Sequence, residues 1–91
     1  MRTKGPLAAA LARRSDLVLS RISEVEGSSD RLSERSSTDI GDIVRAEARI
    51  QKGGGDLVPQ LEAWRRYLKR FRNTADLVAP IEQALASPKA R

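Results

Sequence analysis

"GGGDLVPQLEAWRRYLKRFRNTADLV", residues 53–78, decides how the rest of the chain is read. Three consecutive glycines stop any helix, and Asp56 behind them is a good cap for a new one. Leu57, Leu61, Trp64, Leu68, Phe71, Ala75 and Val78 then recur at separations of 4, 3, 4, 3, 4 and 3 residues. That alternation predicts a coiled-coil-like seam along one helix, held over three heptads. Pro59 falls in the first turn, where its missing N–H is tolerated. Pro80 predicts a kink or break near Val78–Ala79, and Ile81 and Leu85 carry the apolar stripe beyond it.

Upstream of the glycines, Pro6 fits the first turn of a helix. Leu7, Leu11, Val18, Ile22 and Val25 follow at helical spacing. Gly27-Ser28-Ser29-Asp30 interrupts this pattern, with Ser28 or Ser29 available to cap a new start. From Ser20 to Ser37 inclusive there are seven serines, and Leu32 is the only large apolar residue between Val25 and Ile40. Ile40, Ile43, Val44, Glu47 and Ile50 resume a stripe, with Thr38 or Asp39 as its cap. The expected fold is all-α, an antiparallel helical hairpin. Its first arm spans residues 6–52 and is interrupted near 27–37; a turn follows at 53–56. The second arm spans 57–86 with a kink near Pro80, and residues 1–5 and 87–91 are tails. Ninety-one residues make one small domain, for which a partner or self-association adds stability.

Composition narrows the chemistry. The chain has no Cys and no His, which removes disulfides, thiol nucleophiles, the usual zinc sites and imidazole acid–base catalysis. Ser, Lys, Tyr and carboxylates remain, with no evident base to activate a serine. The expectation is a protein that is not an enzyme, with no cofactor, metal or small-molecule substrate. Arginines precede Ser15, Ser33, Ser36 and Ser37, a spacing found at kinase sites and also in ordinary polar helices. Asp39 and Asp42 are read as capping residues rather than cation ligands, and the glycine triplet lacks the Gly-Lys-Ser/Thr of a phosphate loop.

No apolar run approaches the ~18 residues needed to cross a bilayer. "PLAAALA", residues 6–12, is too short for a signal peptide core and is followed at once by Arg13-Arg14, so it is read as a helix start. The sequence does not fix the location, which it leaves unknown: cytoplasmic or exported without a cleaved signal peptide.

The net charge of +5 is unevenly laid out. Residues 15–50 hold eight acids against five bases; residues 57–73 hold five bases against Glu62 alone. The two halves neutralise each other if the chain folds back on itself. The five bases, Arg65, Arg66, Lys69, Arg70 and Arg72, share residues 62–72 with Trp64, Tyr67 and Phe71, all the aromatics of the chain. Aromatics that stack on bases must be exposed, yet Trp64 and Phe71 fall on the apolar seam. The reading is an aromatic core with a basic back, the five bases remaining as candidate polyanion contacts.

Residues 38–85 resemble the hairpin core of type III secretion needle subunits and, more distantly, inner-rod proteins. The resemblance is carried by "DLVPQLEAWRRYLKRFRN", with Leu57-Val58, Leu61 and Phe71-Arg72-Asn73 at similar spacing. It implies self-assembly into a hollow helical tube for protein export, with Leu57, Leu61, Leu68, Phe71, Val78 and Ile81 serving packing and subunit contacts. Gly53-Gly54-Gly55 stands where those subunits turn at a Pro-containing loop, and Pro80 interrupts a helix they keep continuous. The function expected is assembly with protein partners, itself or a larger complex. The alternatives are a small basic regulator of phage or plasmid type, binding nucleic acid or an acidic protein, and an amphipathic protein at an anionic membrane surface.

Overall fold

The structure, a computed structural model, describes residues 6–25 and 30–86. Four helices make it up: α1 (Pro6–Val25), α2 (Glu34–Lys52), α3 (Val58–Leu68) and α4 (Ala75–Ala86). The described residues contain no strand, so the chain is all-α. None of these helices is long and apolar enough to cross a membrane. Both tails, Ser28 and Ser29 lie outside the described residues.

α2 begins earlier than its apolar stripe suggests. Its cap is Ser33, whose hydroxyl accepts from the Ser36 N–H at 3.1 Å, not Thr38 or Asp39. Thr38 lies inside the helix, its hydroxyl donating to the Glu34 carbonyl at 3.0 Å. A polar first turn has no apolar periodicity to announce it, but serine competes well for the free N–H groups there. Leu32, just outside the helix, is buried.

At the other end of α2 the Gly53 N–H donates to the Arg49 and Ile50 carbonyls, both at 3.1 Å. The Gly55 N–H returns to the Ile50 carbonyl at 2.8 Å. Gly54 has φ 99°, a region side chains disfavour. At Gly55 a Cβ would stand 2.5 Å from Ile50 Cγ2 and 2.7 Å from its carbonyl oxygen, so nothing larger fits. The N-cap of α3 falls on Leu57, one residue after the expected Asp56, and has no side-chain cap. Pro59 in the first turn removes one N–H that a cap would otherwise serve. Buried Gln51 crosses the turn and accepts from the Leu57 N–H at 2.7 Å.

The second arm is two helices, and the break is not at Pro80. The chain leaves helical structure after Leu68 and resumes at Ala75, while Pro80 lies inside α4. Pro80 clashes with, and takes a bond from, the residue four before it, here Asp76, second in α4, so the disturbance stays in the first turn. The real break is fixed by side chains that bind backbone. The Thr74 hydroxyl donates to the Leu68 carbonyl at 2.6 Å, closing α3, and the Thr74 carbonyl accepts from the Leu77 and Val78 N–H groups, opening α4. Asn73 clasps Leu32, accepting from its N–H at 3.1 Å and donating to its carbonyl at 3.0 Å. The Arg72 N–H adds a bond of 2.8 Å to the Asp30 carbonyl.

Packing follows from this corner. α2 lies most extensively on α4, α3 also packs on α4, and α1 rests on α2 and α3. The interrupted first arm is thus α1 and α2, and the second arm is divided at residues 69–74, not at Pro80, into α3 and α4, the four helices sharing one core. At its centre Ile40 and Val44 of α2, Leu61, Trp64 and Leu68 of α3, and Ile81 of α4 are shut off from water. Among its described side chains, the aliphatic groups α1 brings to this core are half-buried, Val18, Leu19 and Ile22.

Candidate functional site

The residues expected to form an interaction seam are almost all internal. Leu57, Leu61, Trp64, Leu68, Phe71 and Val78 are buried against this chain's own helices, and Ala75 alone of the seven is exposed, at the start of α4. The heptad spacing runs across the corner, but the helix carrying it does not, so Ala75 is turned out while Leu77 and Val78 are turned in.

All three aromatics are covered. Trp64 is 0%, Tyr67 7% and Phe71 8% exposed, and they form a ladder of edge-to-face pairs. Centroids lie 6.1 Å apart for Trp64–Tyr67 and 5.1 Å for Tyr67–Phe71. No ring is available for a nucleobase to stack on.

Around them the five basic residues are turned outward, four exposed and Arg65 half-buried. The Arg70 guanidinium lies over the Tyr67 ring, 5.8 Å from its centroid, and 6.0 Å from that of Phe71. Lys69 meets Glu82 at 3.7 Å and Arg72 meets Asp30 at 3.4 Å. These pairs stand in solvent, where such contacts add roughly 0–1 kcal/mol. Arg72–Asp30 links the acidic and basic halves of the sequence; Arg45–Asp42, at 3.0 Å, stays within one turn.

A second feature lies where α1, α2 and α3 meet. Glu47, Ser15 and Trp64 are each 0% exposed. Both Glu47 carboxyl oxygens, the Ser15 hydroxyl and the Trp64 indole nitrogen lack a hydrogen-bond partner in full geometry among the described residues. Burial pushes the Glu47 carboxyl from 4.5 up to about 7; the neighbouring Ser15 hydroxyl and Trp64 N–H oppose this, and the Asp16 charge adds to it. Sequence reasoning placed Glu47 within an apolar stripe, which was the available signal for a buried acid. Ser15, considered as a kinase site, is instead sealed in the core of the folded chain.

A third feature is the crevice between α1 and α2. At one end Leu11 faces Ala46, Ile50 and the stem of Arg49. At the other, Val18 and Ile22 face Ile43, rimmed by Arg14 and Arg21 on α1 and Asp39 and Asp42 on α2. Leu17, on another face of α1, is 64% exposed. Among the described residues no group of three acidic side chains is placed to hold a metal ion. No family model, curated protein or solved structure matches the chain.

Proposed function

We propose that this chain is a non-catalytic helical interaction protein that associates with a second copy of itself along the α1–α2 crevice. The observation that carries the reading is the crevice: Leu11, Val18 and Ile22 of α1 and Ala46 and Ile50 of α2 are left half-covered, and at the Val18 end arginines edge α1 and aspartates edge α2. Amphipathic helices take up such surfaces with their own apolar stripes. A copy laid antiparallel sets Arg14 and Arg21 of each chain against Asp39 and Asp42 of the other, the self-complementarity that a two-fold interface needs.

The needle or inner-rod version of this function asks for a hairpin with an unbroken second arm. The corner at 69–74 departs from that, so the reading rests on the crevice and not on the resemblance. Sedimentation across a hundredfold range of concentration tests it. Parent chain shifting from monomer to dimer, with Val18→Lys and Ile50→Lys, both at half-covered positions, monomeric and still helical, supports the reading. A folded parent that remains monomeric at the highest concentration overturns it.

A further inference from the structure

α1 is the most weakly held of the four helices. Ser15 is its one fully buried side chain among those described, and Leu11, Val18, Leu19 and Ile22 are only half-covered. Among the described residues a side-chain bond from the Gln60 amide to the Ala12 carbonyl, at 2.8 Å, ties it to α3. Helices so held are the first to open in native-state fluctuations.

Beneath α1 lies a carboxyl group with no counter-charge among the described residues. From α1 Glu47 is faced by the Ser15 hydroxyl and the Asp16 charge, and from α3 by the Trp64 indole N–H. α4 brings apolar residues such as Leu77 and Ile81 to the core and keeps Asp76 and Glu82 in solvent. Among the described residues no lysine or arginine pairs with Glu47. Protonated, the carboxyl is an uncharged group that Ser15 and Trp64 can approach. Ionised in place, it is a buried anion near a second anion, a costly arrangement. Lifting α1 relieves both faults, since it admits water to Glu47 and carries Asp16 away.

We infer that Ser15, Glu47 and Trp64 form a proton-operated clasp, closed over α2 and α3 when Glu47 is protonated and released, with α1 lifting and Trp64 becoming wet, when it is ionised. Nothing in this depends on the crevice binding a second copy. The raised pKa of Glu47 places the change below and around neutral pH.

Amide hydrogen exchange, corrected for intrinsic rates and run at low protein concentration from pH 4.5 to 8, tests it. The opening constant for α1 amides is expected to rise about tenfold per pH unit until neutrality, then level off. Trp64 emission should shift to the red in step, while α4 amides keep their protection. Glu47→Gln removes the charge and should flatten both profiles. Asp16→Asn, at an exposed position, should leave the fold intact and move the plateau to lower pH, an effect a merely structural acid would not give. Flat α1 protection in the parent, an unchanged slope in Glu47→Gln, an unmoved plateau in Asp16→Asn, or α4 opening together with α1 would each overturn the clasp.

Discussion

Replacing Asn73 with alanine isolates a contact that holds the corner between α3 and α4. The amide bridges the Leu32 backbone with two hydrogen bonds, at 3.1 and 3.0 Å, across 41 residues of sequence. Each such bond has a net worth of about 0.5–1.5 kcal/mol, and the substitution removes both while leaving the Leu32 N–H and carbonyl beside a buried side chain. The expected loss is therefore about 1–3 kcal/mol. For a domain of this size that lowers the melting temperature by roughly 5–15 °C. Arg72→Ala is the control. It removes an exposed ion pair of 3.4 Å but keeps the backbone bond to Asp30, and should cost no more than about 0.5 kcal/mol. Asn73→Asp keeps the acceptor and loses the donor, so it should fall between. Urea unfolding followed by far-UV circular dichroism and Trp64 fluorescence gives all three values. If Asn73→Ala and Arg72→Ala were equally mild, the corner would not be held by this amide, and the account of the α3–α4 break would fail.

The pH dependence of overall stability carries its own sign. With Glu47 raised from 4.5 to about 7, the folded chain holds that proton more tightly than the unfolded one. Its contribution is complete below pH 4.5, declines between 4.5 and 7, and is gone above that; the difference between parent and Glu47→Gln in urea titrations should change by about 3 kcal/mol across the window. Gly55→Ala drives a methyl into the Ile50 side chain and carbonyl and should cost about 1–3 kcal/mol, whereas at Gly53 the nearest atoms stand 3.6 Å from a new Cβ and alanine should be tolerated. At pH 5, where Glu47 is protonated and the indole is sealed, single-stranded DNA or RNA should leave Trp64 emission unchanged. Any binding through Arg65, Arg66, Lys69, Arg70 and Arg72 should be phosphate-driven, collapse with added salt and vanish when all five become Gln.

Which residues go inside was legible from spacing, because Leu57, Leu61, Trp64, Leu68 and Phe71 repeat at the helical period and burial follows that period. Where the second arm ends was not. A seven-residue repeat continues through residues 69–74, and local propensity has nothing to say about an amide whose partner is 41 positions away. Thr74 illustrates the same limit: its hydroxyl reaches back six residues to Leu68, a cap recognisable only once the turn exists. Proline was over-read for a related reason. Its effect depends on which turn of a helix it occupies, and that required the true start of α4 at Ala75.

The cluster at Glu47 shows what spacing hides even when it is read correctly. An acid in an apolar stripe is visible in the sequence, but whether it ends in a salt bridge, in solvent or sealed beside another acid depends on the helix that covers it. Here α1 supplies Ser15 and Asp16 and no cation. With five arginines and lysines gathered on residues 65–72, the chain does not lack positive charge; among the described residues none is brought to this one point. Those bases instead stand outside an aromatic ladder that folding has closed, which leaves them without the exposed rings that nucleic-acid surfaces use. The uncovered apolar surface lies on the opposite assignment, along α1 and α2, next to the helix whose hold depends on a proton. Contact with another polypeptide is the use we propose for that surface.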